Sequence, residues 1–102
     1  MKLHERLAWI RQAPLHGTTK AVLYAMLCFV GSKSTLWPAH STLAWAAGIS
    51  TRHLKRALHV LRRQGVILIA PRPGRSSVYT LILTQAPMAY LVGHHGLQNR
   101  SL

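Results

Sequence analysis

The side chains best suited to do chemistry in this sequence are cations, and they recur at helical spacing. Arg52, Lys55, Arg56, His59 and Arg63 fall on one face of the segment 51–64, with Arg62 beside them. A second group, Arg72, Arg75, Ser76 and Ser77, stands in the stretch PRPGRSS at 71–77. Guanidinium and ammonium groups in such number pair with oxyanions, phosphates above all. An arginine fork also matches the O6 and N7 acceptors of guanine, worth about 1 to 3 kcal/mol of discrimination per good pair. Arg52 and Arg56 lie four apart on one face, as two such forks would.

Other chemistries are poorly served. Acid and base catalysis calls for paired carboxylates or a histidine oriented by one, and the only carboxylate side chain is Glu5. No phosphate-cradling glycine loop or thiol and histidine motif is present, so no enzymatic activity and no cofactor are expected. His94 and His95 are adjacent and cannot both aim at one metal, and the other histidines lack ligand spacing, so no metal site is expected either. Cys28 stands alone, which excludes an internal disulfide framework.

The charge balance points the same way. Thirteen Lys and Arg against one acid give a formal charge of +12. A surface chosen only for solubility would mix both signs. This one attracts polyanions, with nucleic acid the first partner to consider and an anionic membrane surface the second. At 49% apolar residues the chain can bury a core, unlike a disordered basic tail. Its 102 residues suffice for one domain.

The elements that must position these cations are legible from periodicity. In segment 41–65, Leu43, Ala44 and Ala47 mark a short helix that Ser41 is expected to cap. Gly48 ends it by supplying a left-handed turn, and Ile49 packs inward. Ser50 or Thr51 caps a second helix, in which Leu54, Leu58 and Leu61 form the buried stripe beneath the cations. Gly65 ends that helix. Val66 to Ala70 and Val78 to Leu83 read as paired strands, with 71–77 the loop between them. Leu36 and Trp37 are expected to add a short strand at the sheet edge.

Upstream, residues 1–14 read as a helix with Leu3, Leu7 and Ile10 inward, Trp9 beside them, Lys2, Arg6 and Arg11 outward, and Pro14 at its end. This helix either covers the core or exchanges as an arm with a second subunit. Thr18 is expected to cap a helix through Val30, whose body AVLYAMLCFV is apolar all round but too short for a membrane span of about 20 residues. Cys28 reads as an inert part of that run. Trp37 and Trp45 are expected in core or hinge packing rather than as base-stacking platforms. Residues 84–102 form a tail, with one helical turn expected around Pro87 to Val92.

The spacing of Ala44, Gly48, Ile49 and Leu54 is similar to that of a helix-turn-helix, and with Gly65, VILIA, PRPGRSS and VYTLIL the stretch 17–83 resembles a winged helix-turn-helix domain. The resemblance implies a mainly α fold with a small β-hairpin, here with an extra N-terminal helix and a short C-terminal tail. It further implies double-stranded DNA as partner, with the second helix in the major groove and wing 71–77 at the minor groove or backbone. Thr51, Arg52, His53, Lys55 and Arg56 then face bases, with Ser50 at the helix entry. His59, Arg62 and Arg63 meet phosphates; from the wing, Arg72 and Arg75 suit a narrow minor groove and Ser76 and Ser77 donate to phosphates.

The leading expectation is a homodimeric transcriptional regulator of the cytoplasm or nucleoid, similar to small bacterial, phage and plasmid regulators, with no small-molecule effector inferred. The alternative is plasmid or phage replication initiation or partition, whose wing domains the pattern also resembles. A third expectation is a basic RNA-binding or ribosome-associated protein.

Overall fold

The computed structural model describes residues 2–31 and 33–83. The expected C-terminal helical turn, His94 and His95 lie outside them. The described residues form an α+β arrangement of four helices and one three-stranded antiparallel sheet. In chain order these are α1 (Leu3–Gln12), α2 (Gly17–Val30), β1 (Thr35–Leu36), α3 (His40–Ala47), α4 (Thr51–Arg63), β2 (Ile67–Arg72) and β3 (Arg75–Leu81). The sheet order is β1-β3-β2.

Both helices of segment 41–65 end by the same device. Ile49 N–H donates to the Ala44 carbonyl at 3.0 Å, and Val66 N–H donates to the Leu61 carbonyl at 3.0 Å. Each bond reaches back across a glycine in the left-handed region, Gly48 at φ 73° and Gly65 at φ 75°. That closure satisfies terminal carbonyls and turns the chain sharply. Leu54, Leu58 and Leu61 are buried as their spacing predicts, with Ala57 beside them. Ser50 caps α4, its Oγ accepting from His53 N–H at 3.2 Å.

Two other caps differ from expectation. α3 starts two residues earlier than a Ser41 cap would allow, after Ala39, and its ladder opens with Leu43 N–H on the Ala39 carbonyl at 3.0 Å. α2 starts at Gly17 with His16 at the cap position, not Thr18, because Lys20 N–H already donates to the His16 carbonyl at 2.9 Å.

α1 lies on the core of its own chain, but rotated from the expected stripe. Trp9, Ile10 and Ala13 face inward, whereas Leu3 is 60% and Leu7 is 40% exposed. Arg6, expected outside, is buried. Its guanidinium donates to the Gly31 carbonyl at 3.2 Å, placing a cation at the negative C-terminal end of α2. α2 in turn is not buried all round: Val22, Leu23, Met26 and Val30 are core, while Tyr24, Cys28 and Phe29 are exposed. Cys28 is therefore a surface thiol rather than part of the interior, its Sγ 3.7 Å from the Tyr24 carbonyl.

The sheet corrects the reading of 71–77 as a loop. Arg72 pairs with Arg75, and only Pro73 and Gly74 make the turn. Their order, proline then a glycine at φ 68°, suits a type II turn. Pro71 is tolerated because β2 is an edge strand and the register shifts between Ala70 and Arg72, where a missing N–H breaks no ladder. The strands also begin and end a little differently from expectation, Val66 preceding β2 and Leu83 following β3. β1 is the expected edge strand, shifted to Thr35–Leu36, so Trp37 falls outside it.

Tyr79 sits at the middle of the sheet, facing Leu36 of β1 and Ile69 of β2 across the ladders. It is 1% exposed, and desolvation raises its pKa above the ordinary value near 10. Between these two values the unfolded chain loses a proton that the folded chain keeps. Stability is thus fully retained below pH of about 10 and falls as pH rises through the folded value. Urea unfolding across that window should show this decline in the wild type and a shallower one in Tyr79→Phe.

Candidate nucleic-acid interface

The hydrophobic stripe of α4 fixes which cations reach solvent. With Leu54, Leu58 and Leu61 turned inward, Arg52, Arg56, His59 and Arg63 lie on the opposite side, and all four are exposed. Lys55 and Arg62 lie on the flank towards β2 and β3 and, with His59, line a cleft of about 270 Å³ shared with His40, Ser77 and Tyr79. The sequence-based group facing bases is thereby divided: Arg52 and Arg56 lead outward, whereas Lys55 belongs to the wall of the cleft.

The remaining helix residues are constrained by local bonds. Ser50 is engaged as the cap, its Oγ also 2.8 Å from His53 Nδ1, which holds that imidazole at the entrance of α4. Thr51 is exposed in the first turn. Arg62 stands 3.5 Å from His59 Nδ1. Such contacts restrict rotamers without removing the cations from the surface.

Across the cleft, the hairpin contributes unevenly. Arg72 is half-buried, and its Nε donates to the Ser76 carbonyl at 2.7 Å, so it braces the turn. Arg75 is exposed and, with Gly74, Ser76 and Ser77, lines a second cleft of about 610 Å³ that also meets Ala39, His40 and Tyr79. The two clefts share His40, Ser77 and Tyr79. A continuous basic surface therefore runs from the outer face of α4, past the start of α3, to the hairpin turn.

Sequence reasoning missed His40 and Tyr79. His40 precedes the helical pattern by one residue, and Tyr79 sits in a strand apolar on both faces, so neither carried a signal. It also misplaced the tryptophans. Trp37 is 59% and Trp45 is 85% exposed. Trp37 lines an apolar groove of about 410 Å³ with Phe29, Leu36, Pro38 and Thr42.

Among the described residues no helix is long and apolar enough to cross a membrane, and no group of three or more histidine, cysteine or acidic side chains could hold a metal ion. Comparison with protein-family models, curated proteins and solved structures finds no match.

Proposed function

We propose that the chain is a winged helix-turn-helix protein that binds double-stranded DNA, with α3 and α4 as the paired helices and the β2–β3 hairpin as wing. One observation carries this reading: Arg52, Arg56, His59 and Arg63 form an exposed row on α4 that continues into the basic clefts beside the hairpin. A helix fits the major groove of B-DNA, and a row of this kind presents forks to base edges near its N-terminus and charge to phosphates further along. Arg75 at the turn suits a neighbouring minor groove or backbone.

In this reading the protein acts as a homodimer regulating transcription in the cytoplasm. The exposed Leu3 and Leu7 on α1 and Tyr24 and Phe29 on α2 support a second copy, since each is a large apolar side chain left to solvent. Two-fold symmetry would then be mirrored in a palindromic site.

Selection from a random duplex library at about physiological salt, followed by sequencing of the retained pool, tests the proposal. A palindrome with half-sites about 34 to 36 Å apart is the expected product. Its genomic position separates a promoter from an origin or centromere, the latter pointing to replication or partition. A pool without any enriched motif counts against the reading and turns attention to structured RNA, which proteins recognise mostly by shape.

Single substitutions divide the roles. Arg56→Ala should weaken binding and relax sequence preference at one position, by about 1 to 3 kcal/mol if the fork pairs with guanine. Arg75→Ala should weaken specific and random duplexes to a similar degree. Competition binding with both duplexes distinguishes these effects, and identical profiles for the two variants would reject the division.

A further inference from the structure

Three features meet where α3, β3 and the flank of α4 converge. The first is a set of free donors. Ala39 has no side chain to cap α3, and the helical ladder opens only at Leu43, so the amides of His40, Ser41 and Thr42 have no acceptor among the described residues. The second is Tyr79. Its side chain is 1% exposed, and its hydroxyl bonds to no described residue, yet no fully enclosed side-chain polar atom lacks a partner. The hydroxyl is therefore the part of the side chain that solvent reaches, and Tyr79 lines both clefts. The third is charge, from Lys55 and Arg62 in the adjoining wall.

Donors and cations without a carboxylate select an anion rich in acceptor oxygens. Helix N-termini favour such groups through their free amides and dipole, and burial keeps the Tyr79 phenol in its donating form. The geometry points to a seat for one phosphate group, held by the Tyr79 hydroxyl and the first amides of α3, with Lys55 and Arg62 supplying the charge. That the phosphate belongs to a DNA backbone rests on the function proposed above. A free phosphorylated molecule offers the same oxygens, and the two sources are separable.

The test compares the wild-type full chain with Tyr79→Phe, which removes one oxygen and leaves the ring in the sheet. Exposed Lys55→Gln serves as a second variant that does not touch the core. In one arm, inorganic phosphate is titrated and the amide resonances of His40, Ser41 and Thr42 are followed. A saturable shift is expected in the wild type, weakened about tenfold in Tyr79→Phe, as befits one hydrogen bond to a charged group.

In the other arm, each phosphate of a duplex is replaced in turn by a neutral methylphosphonate. One position per bound copy should cost the wild type about tenfold and the variants clearly less, because both changes remove the same contact. A phosphate shift that depends on Tyr79, in a chain without duplex affinity, would keep the seat, assign it to a free phosphorylated ligand and sink the DNA reading. Duplex binding with purely additive costs and no shift at α3 would overturn the seat and leave the DNA reading intact.

Discussion

Raising salt from about 50 to 200 mM is expected to weaken duplex binding by about 10³ to 10⁵, for a dimer that meets about 6 to 10 phosphates. The expectation follows from a surface whose cations have almost no internal counterions: Glu5 is the only acidic side chain, and its carboxylate lies on α1, accepting from Lys2 N–H at 2.7 Å. Each phosphate neutralised releases condensed counterions, so log affinity should fall linearly with log salt at about 0.9 per contact. Fluorescence anisotropy of a labelled duplex across a salt series reads the slope directly. A flat dependence would mean that the exposed row on α4 does not meet the backbone, and the proposed interface would be wrong.

The second large effect concerns the platform rather than the contacts. Leu54 is fully buried in α4, within the core that α4 shares with α2 and α3. Leu54→Ala should cost about 2 to 5 kcal/mol, the transfer term plus the cavity left behind. Native domains are stable by only about 5 to 15 kcal/mol, so this change should bring the protein close to unfolding at warm temperature. Trp45→Ala, at a site 85% exposed, should stay within about 0.5 kcal/mol. Urea denaturation followed by far-ultraviolet circular dichroism compares the two. Equal midpoints would show that α4 is not held by this core, and with it the orientation assigned to Arg52 and Arg56 would fall.

α4 was the most legible element because its two signals are independent: a leucine stripe at 3.6-residue period and cations on the complementary face. Gly48 and Gly65 were legible for a similar reason, since a left-handed turn after a helix favours one residue type. α1 was not. Leu3, Leu7, Trp9 and Ile10 permit more than one inward stripe, and what tells them apart is tertiary: Trp9 and Ile10 join the core, and Arg6 reaches the Gly31 carbonyl, a partner distant in the chain.

The hairpin was misread because two prolines and a glycine in PRPGRSS signal a loop. Pro71 lies on an edge strand at a register shift, where such a residue costs little. The two clefts are assembled from residues near 40, 55–62, 69 and 74–79. No local pattern announces a surface made by four separated segments, and the exposure of Trp37 and Trp45 is likewise a property of tertiary arrangement.

The isolation of Glu5 on α1 reaches beyond any one contact. Folding draws together cations that an expanded chain keeps apart, so the native state carries a repulsion that its own sequence does little to relieve. A polyanion that gathers on the folded surface relieves it by mass action, adding about 2.7 kcal/mol when its concentration stands 100-fold above its Kd. The thermal midpoint of such a protein belongs to the mixture as much as to the chain, and it rises with every anionic ligand that prefers the native state.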